Sequence, residues 1–310
     1  MNTYAPEGAL LYTQKNKEYT SSAQGLKLAY ERGIILEEVA ALCDHKLDLH
    51  LTFPCGIRGV IPKEEALYTS SGEMAKDIAI LTRVGKAVAF KIIGFAEGEG
   101  EPTAILSRRA AQRECIEEYI SKIVPGDIIP SRVTHIEGFG AFVDIGCGII
   151  SLLSIDTISI SRINHPSDRL DVGDNIYTVV KGRDELGRIC VSMRELLGTW
   201  SENASKFTEG QTVGGIIRGV ESYGIFVELA PNLAGLAEYR ENVRSGQSAA
   251  VYIKSIIPEK MKLKLIIIDS YDQCEKKKGV DYFIDPTKIK HLDQWTYSPT
   301  PCRRLVESIF

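Results

Sequence analysis

The chain has 310 residues, 44% of them apolar and 25% charged, with a formal net charge of −4 and seven cysteines. These values describe a globular protein of two or three packed units and exclude a disordered or fibrous chain. They also exclude the basic excess by which many nucleic-acid binders draw phosphates, so any such binding must rest on stacking and a few placed cations, a mode suited to single strands.

No apolar run reaches the roughly 20 residues that a bilayer span requires, and Met1 to Gly8 lacks a basic stretch followed by an apolar one, so a cytoplasmic location is expected. Cys43, Cys55, Cys115, Cys147, Cys190, Cys274 and Cys302 form no C-x-x-C pair and no Cys/His cluster. Free thiols in a reducing compartment follow, with neither metal nor cofactor expected.

In chain order, Ala23–Arg32 reads as an N-terminal helix. A faint pattern begins near Gly33 and runs through K-L-D-L-H-L, G-I-R-G-V-I-P, V-G-K-A-V-A-F-K-I-I and A-I-L-S-R-R. Ser107 then caps a stretch in which Ile116, Tyr119, Ile120 and Ile123 recur at helical spacing, ended by Pro125-Gly126. From Gly126 the pattern is clear: G-D-I-I-P-S-R-V-T-H-I-E-G-F-G-A-F-V-D-I-G, a polar middle, then V-G-D-N-I-Y-T-V-V-K-G-R-D-E-L-G-R-I-C-V-S. Its alternating runs predict strands at Ile128–Ile136, Gly140–Ile145, Ile149–Leu153, Asn175–Gly182 and Arg188–Ser192. Ser192 opens a second amphipathic stretch with Leu196, Leu197, Trp200, Ala204 and Phe207. A further copy starts at Gly210 with G-Q-T-V-G-G-I-I-R-G-V-E-S-Y-G-I-F-V-E-L and resumes at Ser245. After Asp269 come a basic run, Lys276–Lys278, and a tail containing Trp295 and Tyr297, expected to dock on a barrel and to end in a short helix near Cys302–Phe310.

Five short strands in some 70 residues fit a small closed barrel, which removes sheet edges. The expected fold is therefore mainly β: three tandem five-stranded OB-fold barrels joined by amphipathic α-helices, with a C-terminal tail and helix. The corresponding domains are 1–106 (helix plus a degenerate barrel), 107–125 (linker helix), 126–192 (barrel), 193–209 (linker helix), 210–268 (barrel) and 269–310 (tail).

Strand parity locates a candidate surface. If Ala141, Val143 and Ile145 share the inner face, Phe142 and Asp144 lie outside. The third copy repeats this, with Ile225, Val227 and Leu229 inside and Phe226 and Glu228 outside, and each strand follows another aromatic, Phe139 or Tyr223. Exposed ring pairs offer flat faces to bases, at roughly 1–3 kcal/mol per stacked base. A covering helix or a protein partner is the competing explanation. Arg188, preceded by Asp184, and Lys262 of the third copy supply cations, although a solvated Asp184–Arg188 pair alone contributes little. In the first copy, aligned on Leu47, Leu49 and Leu51, Asp48 takes the place of Phe142 and His45 that of Phe139, so this copy is expected to serve architecture or protein contacts.

At these residues the pattern resembles the S1 repeat, the RNA-binding unit of small-subunit ribosomal protein one, and the whole layout is similar to short multi-repeat S1-like proteins of Gram-positive bacteria. The resemblance implies an RNA face of two aromatics, a histidine, an aspartate and an arginine. Phe139, Phe142, Asp184 and Arg188 match it in the second copy; Tyr223, Phe226 and Lys262 match it in part in the third. The histidine is replaced by Ser154 and Glu238, which implies weaker binding per repeat.

No P-loop, G-x-S-x-G or H-E-x-x-H motif is present, and the five histidines (His45, His50, His135, His165 and His291) are dispersed, so no enzymatic activity is expected. The sequence points to a single-stranded RNA-binding protein in translation or mRNA handling. The rival is a protein-interaction scaffold on a ribosome, ribonuclease or polymerase, and single-stranded DNA stays open because stacking discriminates poorly between the two nucleic acids.

Overall fold

Glycine-punctuated alternation closes two of the three repeats into barrels in the computed structural model, which describes residues 3–69, 76–96, 102–272 and 279–310. Cys274 and the Lys276–Lys278 run lie outside the described residues. The chain divides into two compact units, Met1–Ile123 with Asp144–Ile150, and Val124–Val143 with Ser151–Phe310.

The second repeat supplies β7 (Ile128–Glu137), β8 (Gly140–Asp144), β9 (Ile150–Ser154), β10 (Asn175–Arg183) and β11 (Ile189–Ser192), closed in the order β10-β11-β9-β8-β7. The third supplies β12 (Thr212–Glu221), β13 (Gly224–Ala230), β14 (Leu233–Ala237), β15 (Ser248–Ile257) and β16 (Lys262–Tyr271), closed in the same ring, β12-β13-β14-β16-β15. In both barrels the fifth strand runs parallel to the third, as Cys190 opposite Leu152 and Lys264 opposite Leu236 show.

The first repeat departs from the expected closed barrel. Its strands are β1 (Ile35–Val39), β2 (Leu42–Cys43), β3 (Leu49–Thr52), β4 (Arg58–Ile61), β5 (Ala87–Ala96) and β6 (Thr103–Ser107), in an open sheet ordered β1-β5-β6-β4-β3-β2. The opening strand is interrupted at Ala40-Ala41. Ala40 donates to Lys86 and Ala41 to His50, so pairing switches from β5 to β3 within two residues and no continuous ladder closes the ring. Leu49 and Leu51 are buried as parity required, but Leu47 sits in the turn at φ 69° and is only partly buried. Asp48 accepts a hydrogen bond from the Lys63 amide at 2.9 Å, and His45 is exposed.

Ala23–Arg32 is helical, capped by Ser22 and ended by left-handed Gly33. Ser107 caps Arg108–Glu118 through the Ala110 amide at 2.8 Å. The second connector is not the single amphipathic helix expected. A 3-10 turn at Arg194–Leu197 stops at Gly198, and Thr199 starts a separate helix, Trp200–Ala204, with a capping box to Glu202. Gly198 has φ 82°, and a Cβ there would lie 2.6 Å from the Phe283 ring, so the chain must turn where helical spacing suggested continuity. The expected C-terminal helix is replaced by a hairpin of β17 (Gln294–Thr296) and β18 (Glu307–Ile309). Pro299 and Pro301 lie in the connection between them, where neither can sustain a helix interior. Trp295 and Tyr297 are buried in the third barrel's apolar cluster.

Within the second unit the two barrels share buried polar contacts. Asn232 is fully buried; its amide donates to the carbonyls of Arg194 and Gly198, each at 2.8 Å, and accepts from the Ile160 amide at 2.9 Å. Glu228 accepts from Arg169 at 2.6 Å and from Arg218 at 2.8 Å, and Arg218 also reaches Asp168 at 3.2 Å.

The first unit buries Glu37 completely. One carboxyl oxygen accepts from the amides of Gly8 and Leu10 at 3.0 and 2.9 Å, and the other has no partner. Burial pushes this carboxyl from its ordinary 4.5 up to about 8, against the opposing amide hydrogen bonds. Between those values the folded unit holds a proton that the unfolded chain releases, so stability declines as pH rises from about 4.5 to about 8. Glu37→Gln keeps the acceptor and removes the titration. Urea unfolding at pH 5 and pH 8.5 should show a smaller pH difference for the variant, with the variant the more stable at the higher pH.

Candidate nucleic-acid interface

Ala141 and Val143 point into the second barrel and are fully buried, Ile145 just past β8 is 1% exposed, and Phe142 stands half-buried on the outer face. Phe139, at the hairpin tip, is 56% exposed, and the two rings meet edge to face with centroids 6.0 Å apart. The third barrel repeats the arrangement. Ile225 and Val227 are fully buried, Leu229 is only half-buried, and Tyr223 is 68% exposed with its ring 6.1 Å from that of Phe226. The glycine between the rings fixes this geometry. A Cβ on Gly140 would meet the Leu153 carbonyl at 2.5 Å and one on Gly224 the Ala237 carbonyl at 2.6 Å, so only glycine lets the neighbouring strand approach.

The outward carboxylates follow parity but do not reach solvent. Asp144 is buried, accepting from the amides of Glu7 at 2.7 Å, Gly146 at 2.8 Å and Gly148 at 3.0 Å. Burial, with the nearby Glu7 charge, pushes its carboxyl up to about 7. Glu228, at the matching place, is enclosed by two guanidinium groups. Neither carboxylate therefore presents an exposed negative charge beside the rings.

The cations stand at strand openings. Arg188 precedes β11 and is held by Asp184, with Nε at 2.8 Å and Nη2 at 2.7 Å from one carboxylate oxygen. The other oxygen accepts from the amides of Leu186 and Arg188, and these contacts, that with the guanidinium first, hold the Asp184 carboxyl below its usual range. The guanidinium side chain stays 68% exposed. Lys262 opens β16 and is exposed. Ser154 donates to Asp156, and Glu238 is exposed just beyond β14.

Sequence reasoning missed His135. In the third barrel the ladder steps over Arg218 and sets Gly219 opposite Phe226. In the second, the matching position is His135, whose ring lies 6.2 Å from Phe142 at 22°, with Nε2 2.7 Å from Glu137. Simple alternation places His135 on the inner face; a bulge of this kind reverses it. Only the shared spacing of V-T-H and I-R-G before the two hairpins could have exposed the shift.

Among the described residues, no group of three or more His, Cys, Asp or Glu is placed to hold a metal ion, the six described cysteines are free, and no helix is long and apolar enough to cross a membrane.

Residues 122–194 match the family model described as the S1 RNA binding domain. The chain is 31% identical over 196 residues to small ribosomal subunit protein bS1 of Leuconostoc lactis, covering 57% of this chain and 46% of that protein. It is 26% identical over 313 residues to bS1 of Mycobacterium leprae, covering 93% of this chain and 60% of that one, so it spans about half the length of these relatives. Among solved structures, GSP13 from Bacillus subtilis is 28% identical, covering 24% of this chain and 57% of its own, with a TM-score of 0.22. Residues 122–194 thus match the S1 RNA binding domain, and the chain as a whole is similar in sequence to ribosomal bS1 proteins.

Proposed function

We propose that this protein binds single-stranded RNA, mRNA in the setting of translation, by stacking bases on Phe139 and Phe142 of the second barrel and on Tyr223 and Phe226 of the third. The observation that carries this reading is the repetition of one ring geometry at equivalent hairpins of two barrels within a single compact unit. Arg188, oriented by Asp184, contacts a phosphate or stacks on a base in the second barrel, and Lys262 supplies a point charge in the third. His135 extends the second platform, in partial replacement of the histidine absent at Ser154. The RNA-binding description of the matched family and the ribosomal names of the relatives support the same reading. The first repeat, with Asp48 in the ring position, serves architecture, and the protein acts in the cytoplasm without catalysis.

The test is a titration of uridine-rich RNA, matched DNA and duplex RNA at two salt concentrations. The unstructured RNA should bind in a salt-sensitive manner and the duplex only weakly. Phe142→Ala with Phe226→Ala should lower RNA affinity tenfold or more, from about 1–3 kcal/mol per stacked base, with the circular dichroism spectrum unchanged. Equal affinity of this double variant and the parent rejects the stacking surface. Retention of a ribosomal or ribonuclease partner without RNA binding points to the scaffold role.

A further inference from the structure

On the third barrel, the outer face continues past the rings into a row of cations. Along β16, Leu263, Leu265 and Ile267 turn inward, leaving Lys262 and Lys264 exposed on the opposite face. Lys264 is in register with Leu236 of β14, and Leu236 with Phe226 of β13, so one cross-strand row runs from ring to ammonium over roughly 10 Å at the usual strand spacing. On its other side Lys264 pairs with Ser255, beside the bulge that carries exposed Lys254, and Lys262 pairs with Ile257.

We infer that Lys254, Lys262 and Lys264 form a phosphate comb, which holds the sugar–phosphate backbone of the strand whose bases lie on Tyr223 and Phe226. This inference rests on the RNA-binding reading and adds a second contact type to it. Residues 248–264 hold four lysines and one glutamate, a local charge of +3 in a chain whose total is −4. Among the described residues none of the three lysines makes an ion pair, and the neighbouring Glu209 spends a carboxylate oxygen on the Ile256 amide at 2.7 Å. Like charges on adjacent strands repel, and a polyanion laid across them relieves that repulsion. The second barrel lacks one member of this row: Lys181, at the bulge of β10, stands in the place of Lys254, and Arg188 in that of Lys262, but where Lys264 faces Leu236, Cys190 faces Leu152. One barrel therefore offers an oriented guanidinium, the other a diffuse strip of ammonium groups that suits a flexible, sequence-independent backbone.

Each phosphate neutralised on a single strand contributes about 0.7 to the slope of log affinity against log salt concentration. With the full chain and a uridine-rich RNA, replacing all three lysines by glutamine should make that slope shallower by about 2. Replacing them by arginine should leave it near the parent value, and Lys264→Gln alone should remove about 0.7. Thermal unfolding of the glutamine variant should match or exceed that of the parent. The double variant Phe142→Ala with Phe226→Ala should lose affinity at unchanged slope, which separates stacking from charge. An unaltered slope in the glutamine variants overturns the comb while leaving the stacking surface standing; failure of the parent to bind RNA overturns both.

Discussion

Replacement of Glu228 by alanine should destabilise the second unit by about 3–5 kcal/mol, the usual cost of breaking a buried ion pair from one side. Glu228 is 5% exposed and holds Arg169 and Arg218, whose side chains are themselves 10% and 7% exposed. Arg218 has Asp168 as a second partner, but Arg169 has a buried Nε with no partner even in the intact cluster. Loss of the carboxylate strands a desolvated guanidinium between the barrels. Glu228→Gln retains the volume but not the charge, and should fall almost as far. Urea unfolding followed by tryptophan fluorescence reads the change, because Trp200 and Trp295 are both in the third barrel's cluster. A loss below about 1 kcal/mol, the range of an exposed pair, would show that the cluster is solvated.

The second large effect concerns RNA length. If both barrels of this unit hold one strand, their affinities combine through effective concentration, which commonly raises binding by about 10²–10⁴ over either site alone. Phe139→Ala with Phe142→Ala should then weaken a long unstructured RNA by about 10²-fold or more, and Tyr223→Ala with Phe226→Ala should do the same. With an oligonucleotide too short to bridge the barrels, each pair removes only its own site. The second barrel, with His135 and the oriented Arg188, then retains most of the binding when the third barrel's rings are lost. Equal losses on short and long RNA would show that the barrels bind independently.

Much of this surface was legible because period-two alternation in G-A-F-V-D-I and G-I-F-V-E-L admits one inward set, and the aliphatic residues claim it. Phe142 and Phe226 are then placed outside by elimination; both are half-buried, each beside an exposed ring, Phe139 or Tyr223. Contacts between distant segments were not legible. Nothing near Asp144 shows that the remote Glu7 amide would cover it, nor anything near Glu228 that two arginines would enclose it. The break at Gly198 was hidden because Leu196, Leu197, Trp200 and Ala204 keep helical spacing across it while packing as two short pieces. His135 was missed because simple alternation assigns it to the inner face, whereas its ring stacks beside Phe142. The C-terminal strand was read as a helix because pairing between Gln294–Thr296 and Glu307–Ile309 spans a proline-bearing turn.

The indole of Trp295 and the phenol of Tyr297, the latter donating to the Asn232 carbonyl at 2.6 Å, pack into the third barrel's apolar cluster from a segment beyond its last strand. Autonomy of that module is consequently borrowed. A fragment cut after Tyr271 forfeits two aromatic side chains and exposes the greasy seam they seal, so recombinant dissection of this protein should carry residues 279–310 along with β12 to β16 if the excised piece is to stay folded.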